Sequence, residues 1–94
     1  VSSRFWRTNA HARIADFVQI HNLVKADIEA LFQFARRLTI DPFDVPAESD
    51  STGEFYCRIG HSKTYSGKDL TAGYRIDESY RTVEVISFSV VDTR

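Results

Sequence analysis

Ninety-four residues and 10.8 kDa suit one compact domain, residues 1–94, because a chain this short rarely divides into two cores. Apolar residues make up 43% and charged residues 27%, with four Tyr, seven Phe and one Trp, which excludes a disordered or collagen-like chain and supplies enough apolar surface to fold without metal or disulfide staples. The 12 Lys and Arg against 13 Asp and Glu leave a formal charge of -1, which argues against a protein coated in basic residues for nucleic acid.

Residues 4–8, with Phe5 and Trp6, read as a short N-terminal strand whose aromatics pack under a sheet or anchor a partner. The chain opens at Val1 and contains no Met, which is compatible with a processed, truncated or alternatively started chain. Residues 10–40 hold no Gly or Pro, and apolar side chains recur at helical spacing: Ile14, Phe17 and Val18, then Val24, Ile28, Leu31, Phe32, Ala35 and Leu38. This is either one helix of about 45 Å or a pair broken near His21 and Asn22. A pair is expected, because Asn22 is a poor helix former and a good cap, and an antiparallel hairpin buries more apolar surface. His21 falls on the apolar helical face, as a packed boundary histidine would. Pro42 ends the helical half, since it biases Asp41 away from helical geometry.

Asp41, Asp44, Glu48, Asp50 and Glu54 then fall in a stretch without Lys or Arg, which leaves the remaining residues with 12 basic against eight acidic side chains. Near-neutrality therefore hides a modest positive surplus elsewhere, alongside what reads most simply as a solvated acidic loop. After Gly53 the period switches to alternation. Residues 54–60 place Phe55, Cys57 and Ile59 on one face and Glu54, Tyr56 and Arg58 on the other; Cys57 is thus expected to be a buried structural thiol. Residues 70–77 alternate likewise, with Ala72, Tyr74 and Ile76 opposite Thr71, Gly73 and Arg75. Residues 77–80 suit a hairpin turn, and 81–91 form a β-branched strand whose apolar phase slips at Val85 and Ile86, so it holds a bulge or lies centrally with both faces covered. The expected fold is α+β: an N-terminal strand and a helical hairpin packed on a small antiparallel β-sheet.

This order resembles the RelE/ParE superfamily of small bacterial toxins. Leu38-Thr39-Ile40-Asp41-Pro42 is similar to the Leu-x-x-Asp-Pro ending of the family's second helix. Phe55-Tyr56-Cys57-Arg58-Ile59-Gly60 is similar to its strand ending in Arg-Val-Gly, and Tyr74-Arg75-Ile76-Asp77 to its Tyr-x-Ile-Asp strand end; residues 81–91 fit its valine-rich last strand. The resemblance implies the toxin of a toxin–antitoxin pair, partnered by an antitoxin protein and acting on DNA gyrase or on ribosome-bound mRNA. Family members usually carry Arg where Thr71 stands, and the ribosome-dependent ribonucleases among them are strongly basic and keep a His or Tyr near the C-terminus, where this chain reads Val90-Val91-Asp92-Thr93-Arg94, so the gyrase-directed branch stands beside mRNA cleavage as an expectation.

Read for its own chemistry, Gly60 to Asp69 is the densest polar stretch, with His61, Lys63, Tyr65 and Lys68. RNA cleavage without a metal needs a base for the 2′-hydroxyl, a cation for the phosphorane-like transition state and an acid for the leaving oxygen. His61 suits base or acid, and Arg58, Lys63, Arg75 and Arg81 are the candidate cations, guanidinium being matched to two phosphate oxygens. Arg58 and Arg75 are expected on one exposed sheet face. The other reading is an ordinary solvated loop with surface arginines on a non-catalytic protein-interaction module. Six residues separate Gly60 from Gly67 where a P-loop has four, and Asp69 follows Lys68, so nucleotide hydrolysis is not indicated. Cys57 and His61 are too few for a metal site, with His11 and His21 placed in the helices, and no Ser, His and Asp spacing marks a covalent nucleophile. No metal or cofactor is expected. A single cysteine, no leader-like segment and no run approaching about 18 apolar residues point to a cytoplasmic protein with no membrane span.

Overall fold

In the computed structural model, which describes residues 5–93, the helical segment breaks at Asn22. Helix α1 (Ala10–His21) ends there and helix α2 (Lys25–Ile40) follows after a short turn, giving a hairpin. Asn22 adopts the left-handed conformation (φ 50°, ψ 52°), and its N–H donates to the Val18 carbonyl at 2.8 Å. Asparagine tolerates this geometry better than most residues, so it closes α1 as a C-terminal cap. Helix α2 stops one residue before extended Asp41, and Pro42 leads a single 3-10 turn, Pro42–Asp44, whose Phe43 N–H donates to the Asp41 carboxylate.

The sheet contains β1 (Arg7–Thr8), β2 (Glu48–Ser49), β3 (Phe55–His61), β4 (Lys68–Asp77) and β5 (Thr82–Asp92), in the spatial order β1-β5-β4-β3-β2. Strands β2 to β5 pair antiparallel, whereas β1 runs parallel to β5, so the sheet of this α+β fold is mixed. The N-terminal strand is confined to two residues, and Arg4 lies outside the described residues. Asn9 lengthens its pairing: the side-chain amide donates to the Val85 carbonyl at 3.2 Å and accepts from the Val85 N–H at 2.7 Å, standing in for one more strand residue. Strand β2 was not expected, because two residues in a polar stretch give no alternation to read.

Two bulges decide which side chains face where. Gly73 pairs with Ser87 and Tyr74 with Val85, which leaves Ile86 as the extra residue of β5, at the phase slip seen in the sequence. Arg58 pairs with Thr71 and Gly60 with Leu70, so Ile59 is the extra residue of β3. Both helices cover the sheet face that carries Cys57, Leu70, Ala72, Tyr74, Val83 and Val85, with Phe17 against Phe88 and Phe34 against Tyr74. Trp6 joins this core at 8% exposure while Phe5 is 60% exposed, which separates two aromatics the sequence could only take together. The Cys57 thiol is buried as expected, and burial pushes its pKa up. Among the described residues no helix is long and apolar enough to cross a membrane.

Tyr74 is the largest fully buried side chain, stacked on Phe55 at 5.6 Å between ring centroids. Its hydroxyl is buried with no hydrogen-bond partner, and burial pushes its pKa up to about 12. An unpartnered buried hydroxyl costs on the order of 1 kcal/mol or more, a cost that phenylalanine avoids. Tyr74→Phe is therefore expected to leave stability unchanged or raise it by up to about 1 kcal/mol, whereas Tyr74→Ala costs about 3–5 kcal/mol through the cavity it leaves. Urea denaturation of the two variants checks both values.

Candidate functional site

The site rests on a buried acid that the sequence reading did not single out. Asp27 occupies the first turn of α2, in the stripe Leu23, Asp27, Leu31, and is only 1% exposed. One carboxylate oxygen accepts from the Lys63 N–H at 2.7 Å; the other accepts from the Ser62 hydroxyl at 2.8 Å, the Thr64 N–H at 3.0 Å and the Thr64 hydroxyl at 2.7 Å. The Thr64 hydroxyl in turn accepts from the Val24 N–H at 2.9 Å, at the residue that precedes α2. In a capping box the acid three positions into a helix reaches back to the cap N–H itself; here Thr64 from the β3–β4 loop relays that contact. Burial works to raise the Asp27 pKa, but the hydrogen bonds from Lys63, Thr64 and Ser62 outweigh it and hold the carboxyl below its ordinary 3.8. The positive end of the α2 dipole adds to this preference for charge.

On the outer face of the sheet, a second acid gathers the predicted residues. His61 pairs across with Asp69, and the ring Nδ1 lies 2.7 Å from the carboxylate. Arg58, one register step back, reaches the other carboxylate oxygen at 3.5 Å, and the Thr93 hydroxyl donates to the first at 2.9 Å. These three groups cover Asp69 so that it is 5% exposed, while the side chains of Arg58 and His61 each remain 62% exposed. Burial works to raise the Asp69 pKa, and the bonds from Thr93 and His61 together with the Arg58 charge bring it below the ordinary value. The carboxylate therefore stays ionised beside the imidazole. With Nδ1 engaged, Nε2 is the ring nitrogen left for an external group, the arrangement of a base oriented by an acid.

The remaining members of the loop diverge. Tyr65 turns inward, donating its hydroxyl to the His21 carbonyl at 3.0 Å, and Lys68 pairs with Asp92. Lys63 is held by its backbone and leaves an exposed side chain. Arg75 shares the outer face with Arg58, as expected, but lies four residues beyond the Arg58 partner Thr71 on β4, about 13 Å along the strand. Arg81 lies in the β4–β5 hairpin with its guanidinium carbon 4.7 Å from the centre of the Trp6 ring. The five proposed residues thus fall into two groups: Arg58, His61 and Lys63 at one end of the sheet, Arg75 and Arg81 at the other.

A groove of about 460 Å³ borders the first group, lined by Glu48, Tyr56, Arg58 and Thr71 among others. A larger one of about 1000 Å³ lies at the far end, where Arg7 and Arg75 stand among Asp77, Glu78 and Glu84. There the Asn9 side chain is committed to the Val85 backbone and the other polar side chains are exposed or half-buried, while of the first group Arg58 is the member that lines the smaller groove. Among the described residues, His, Cys, Asp and Glu form no group of three or more suited to one metal ion.

The Asp27 contacts are expected to dominate the stability of this end. Asp27→Asn should cost about 3 kcal/mol, nearly as much as Asp27→Ala, because either orientation of the amide turns an NH₂ toward a backbone N–H, that of Lys63 or that of Thr64. Since the folded-state pKa is depressed, this contribution is present above pH 3.8 and is lost as pH falls from there through the folded value. Urea midpoints of wild type and Asp27→Asn measured from pH 7 to pH 2 should converge only below that point.

Compared with known proteins, the chain matches no family model, no curated protein and no solved structure.

Proposed function

We propose that this chain is a RelE/ParE-like toxin, the growth-inhibiting member of a cytoplasmic toxin–antitoxin pair, and that it acts as an endoribonuclease on mRNA. The observation that carries this reading is the 2.7 Å contact between His61 Nδ1 and the buried Asp69 carboxylate on an open sheet face, with Arg58 beside it. The order of strand, helical hairpin and antiparallel strands also supports it.

In the proposed reaction His61 Nε2 takes the proton of a 2′-hydroxyl, whose oxygen attacks the adjacent phosphorus. Asp69 fixes the ring and stabilises the imidazolium that forms. Arg58 has five donors, and those not directed at Asp69 bind the phosphoryl oxygens as charge builds on them. The bond to the 5′-oxygen breaks, leaving a 2′,3′-cyclic phosphate. The departing oxygen takes a proton from water, and the proton held by His61 neutralises the hydroxide so formed.

Induced expression of the wild-type chain in a bacterial host is expected to arrest growth with loss of translation. His61→Ala should lower cleavage by about 10²–10⁴-fold and relieve the arrest, and Arg58→Ala should do so by about 10²–10³-fold. Arg75→Ala and Arg81→Ala, at the far end of the sheet, should arrest growth like wild type. Unimpaired growth with soluble wild-type protein would overturn the toxin reading. Arrest by His61→Ala with failing DNA supercoiling would replace cleavage with gyrase binding.

A further inference from the structure

Tyr56 stands next to Arg58 on the outer face and is 48% exposed. Its cross-strand partner is Gly73, and the Tyr56 ring covers that glycine: a Cβ placed on Gly73 would lie 3.6 Å from Tyr56 Cε1 and 2.9 Å from a carboxylate oxygen of Glu54. The ring tip is tethered as well. Its hydroxyl donates to Asp50 at 3.3 Å, and Asp50 is fixed by the Thr52 N–H at 2.8 Å, the Thr52 hydroxyl at 2.6 Å and the Glu54 N–H at 3.1 Å. An aromatic ring laid on a glycine and pinned at its tip has little conformational freedom left to lose. It offers a preformed stacking surface one side-chain step, about 7 Å, from a guanidinium on the same strand face.

We propose that Tyr56 is the base-stacking platform of this site, receiving one unpaired base of a single-stranded RNA whose neighbouring phosphate is bound by Arg58. This rests on the ribonuclease reading above and adds the side chain that selects the nucleotide. Base–aromatic stacking is the common mode by which proteins hold unpaired RNA, and it works on any base. The surroundings add a preference. Asp50 at the ring tip and Glu54 beside it over Gly73 present carboxylate oxygens, which disfavour a phosphate there and favour a base edge that donates, such as the amino group of adenine or cytosine. Uracil presents no amino group. The acidic stretch that makes the chain near-neutral would thereby orient the strand, with phosphate on the Arg58 side and base edge on the Glu54 side.

The test measures binding of fluorescently labelled, 2′-O-methylated hexa-adenylate and hexa-uridylate, which cannot be cleaved, by fluorescence anisotropy. Tyr56→Phe keeps the ring and is expected to bind hexa-adenylate within about two-fold of wild type, whereas Tyr56→Leu, which still covers Gly73, should weaken it by roughly 5- to 100-fold. Hexa-uridylate should bind more weakly than hexa-adenylate, and Glu54→Gln should narrow that difference. Tyr56→Trp supplies a larger ring and should bind at least as well as wild type, which keeps the test decisive where Tyr56→Leu fails to fold. Equal binding by folded Tyr56→Leu, or loss of binding in folded Tyr56→Trp, would overturn the stacking role while leaving RNA binding intact. Absence of binding by wild type would overturn the stacking role and the RNA reading together.

Discussion

One buried carboxylate organises the β3–β4 end of this molecule. Asp27 is enclosed at the start of α2, where an ionised group survives only if its lone pairs are filled, and the four donors that fill them all come from residues 62–64. The loop between β3 and β4 is therefore not an independent surface segment. Its first half is folded around an acid belonging to the helix, and the helix in turn has the N–H of Val24 satisfied by the Thr64 hydroxyl. Each element satisfies polar groups of the other, which ties the helical hairpin to the β3–β4 end of the sheet.

From that anchor the loop is closed on its other sides. Tyr65 binds the end of α1 through the His21 carbonyl, and Thr93 after β5 donates its N–H to Gly67 and its hydroxyl to Asp69. Lys68 and Asp92 pair across β4 and β5. Both ends of the loop are thus tied to carboxylates: Asp27 from the helical layer and Asp69 from the sheet. His61 stands between them with its ring direction set by Asp69 and its backbone set one residue before the Asp27 contacts. A side chain on a segment braced in this way has little entropy left to lose in being oriented, an advantage that the ends of strands have over free loops.

Much of the frame was legible in the sequence and the site was legible only in pieces. Asn22 and Pro42 marked the helix ends because their backbone preferences are local, and Val85 and Ile86 marked a bulge because two apolar residues in succession break the alternation. Ile59 gave no such sign. Phe55, Cys57 and Ile59 alternate without error, and continuing that phase places His61 on the buried side; only the pairing of Gly60 with Leu70 reveals the extra residue that turns His61 outward, beside Arg58. Register likewise decided that Arg75 stands far from Arg58 although both share a face. Asp27 did leave a trace, an acid between Leu23 and Leu31 at four-residue spacing, but a single polar residue in a stripe does not name its partners, and these lie more than thirty residues away.

The near-neutral charge takes on a different meaning once the acids are located. A count treats thirteen carboxylates as equivalent, yet they are not equally available to repel an anion. Asp27 is surrounded by donors, and Asp69 is covered by His61, Arg58 and Thr93, so each acts chiefly as an internal acceptor that shapes the site. Asp50 holds Thr52, Glu54 and Tyr56, so its charge acts at the Tyr56 ring tip and not at Arg58. Three acids of this end, Asp69, Asp50 and Asp27, thus hold an imidazole, a ring and a loop in place, and the positive groups of that end, Arg58 and Lys63, keep exposed side chains. A protein that binds RNA along its whole length needs a basic coat; one that engages a single scissile phosphate needs only a guanidinium, a fixed base and little competing negative charge between them, and a total of -1 is compatible with that.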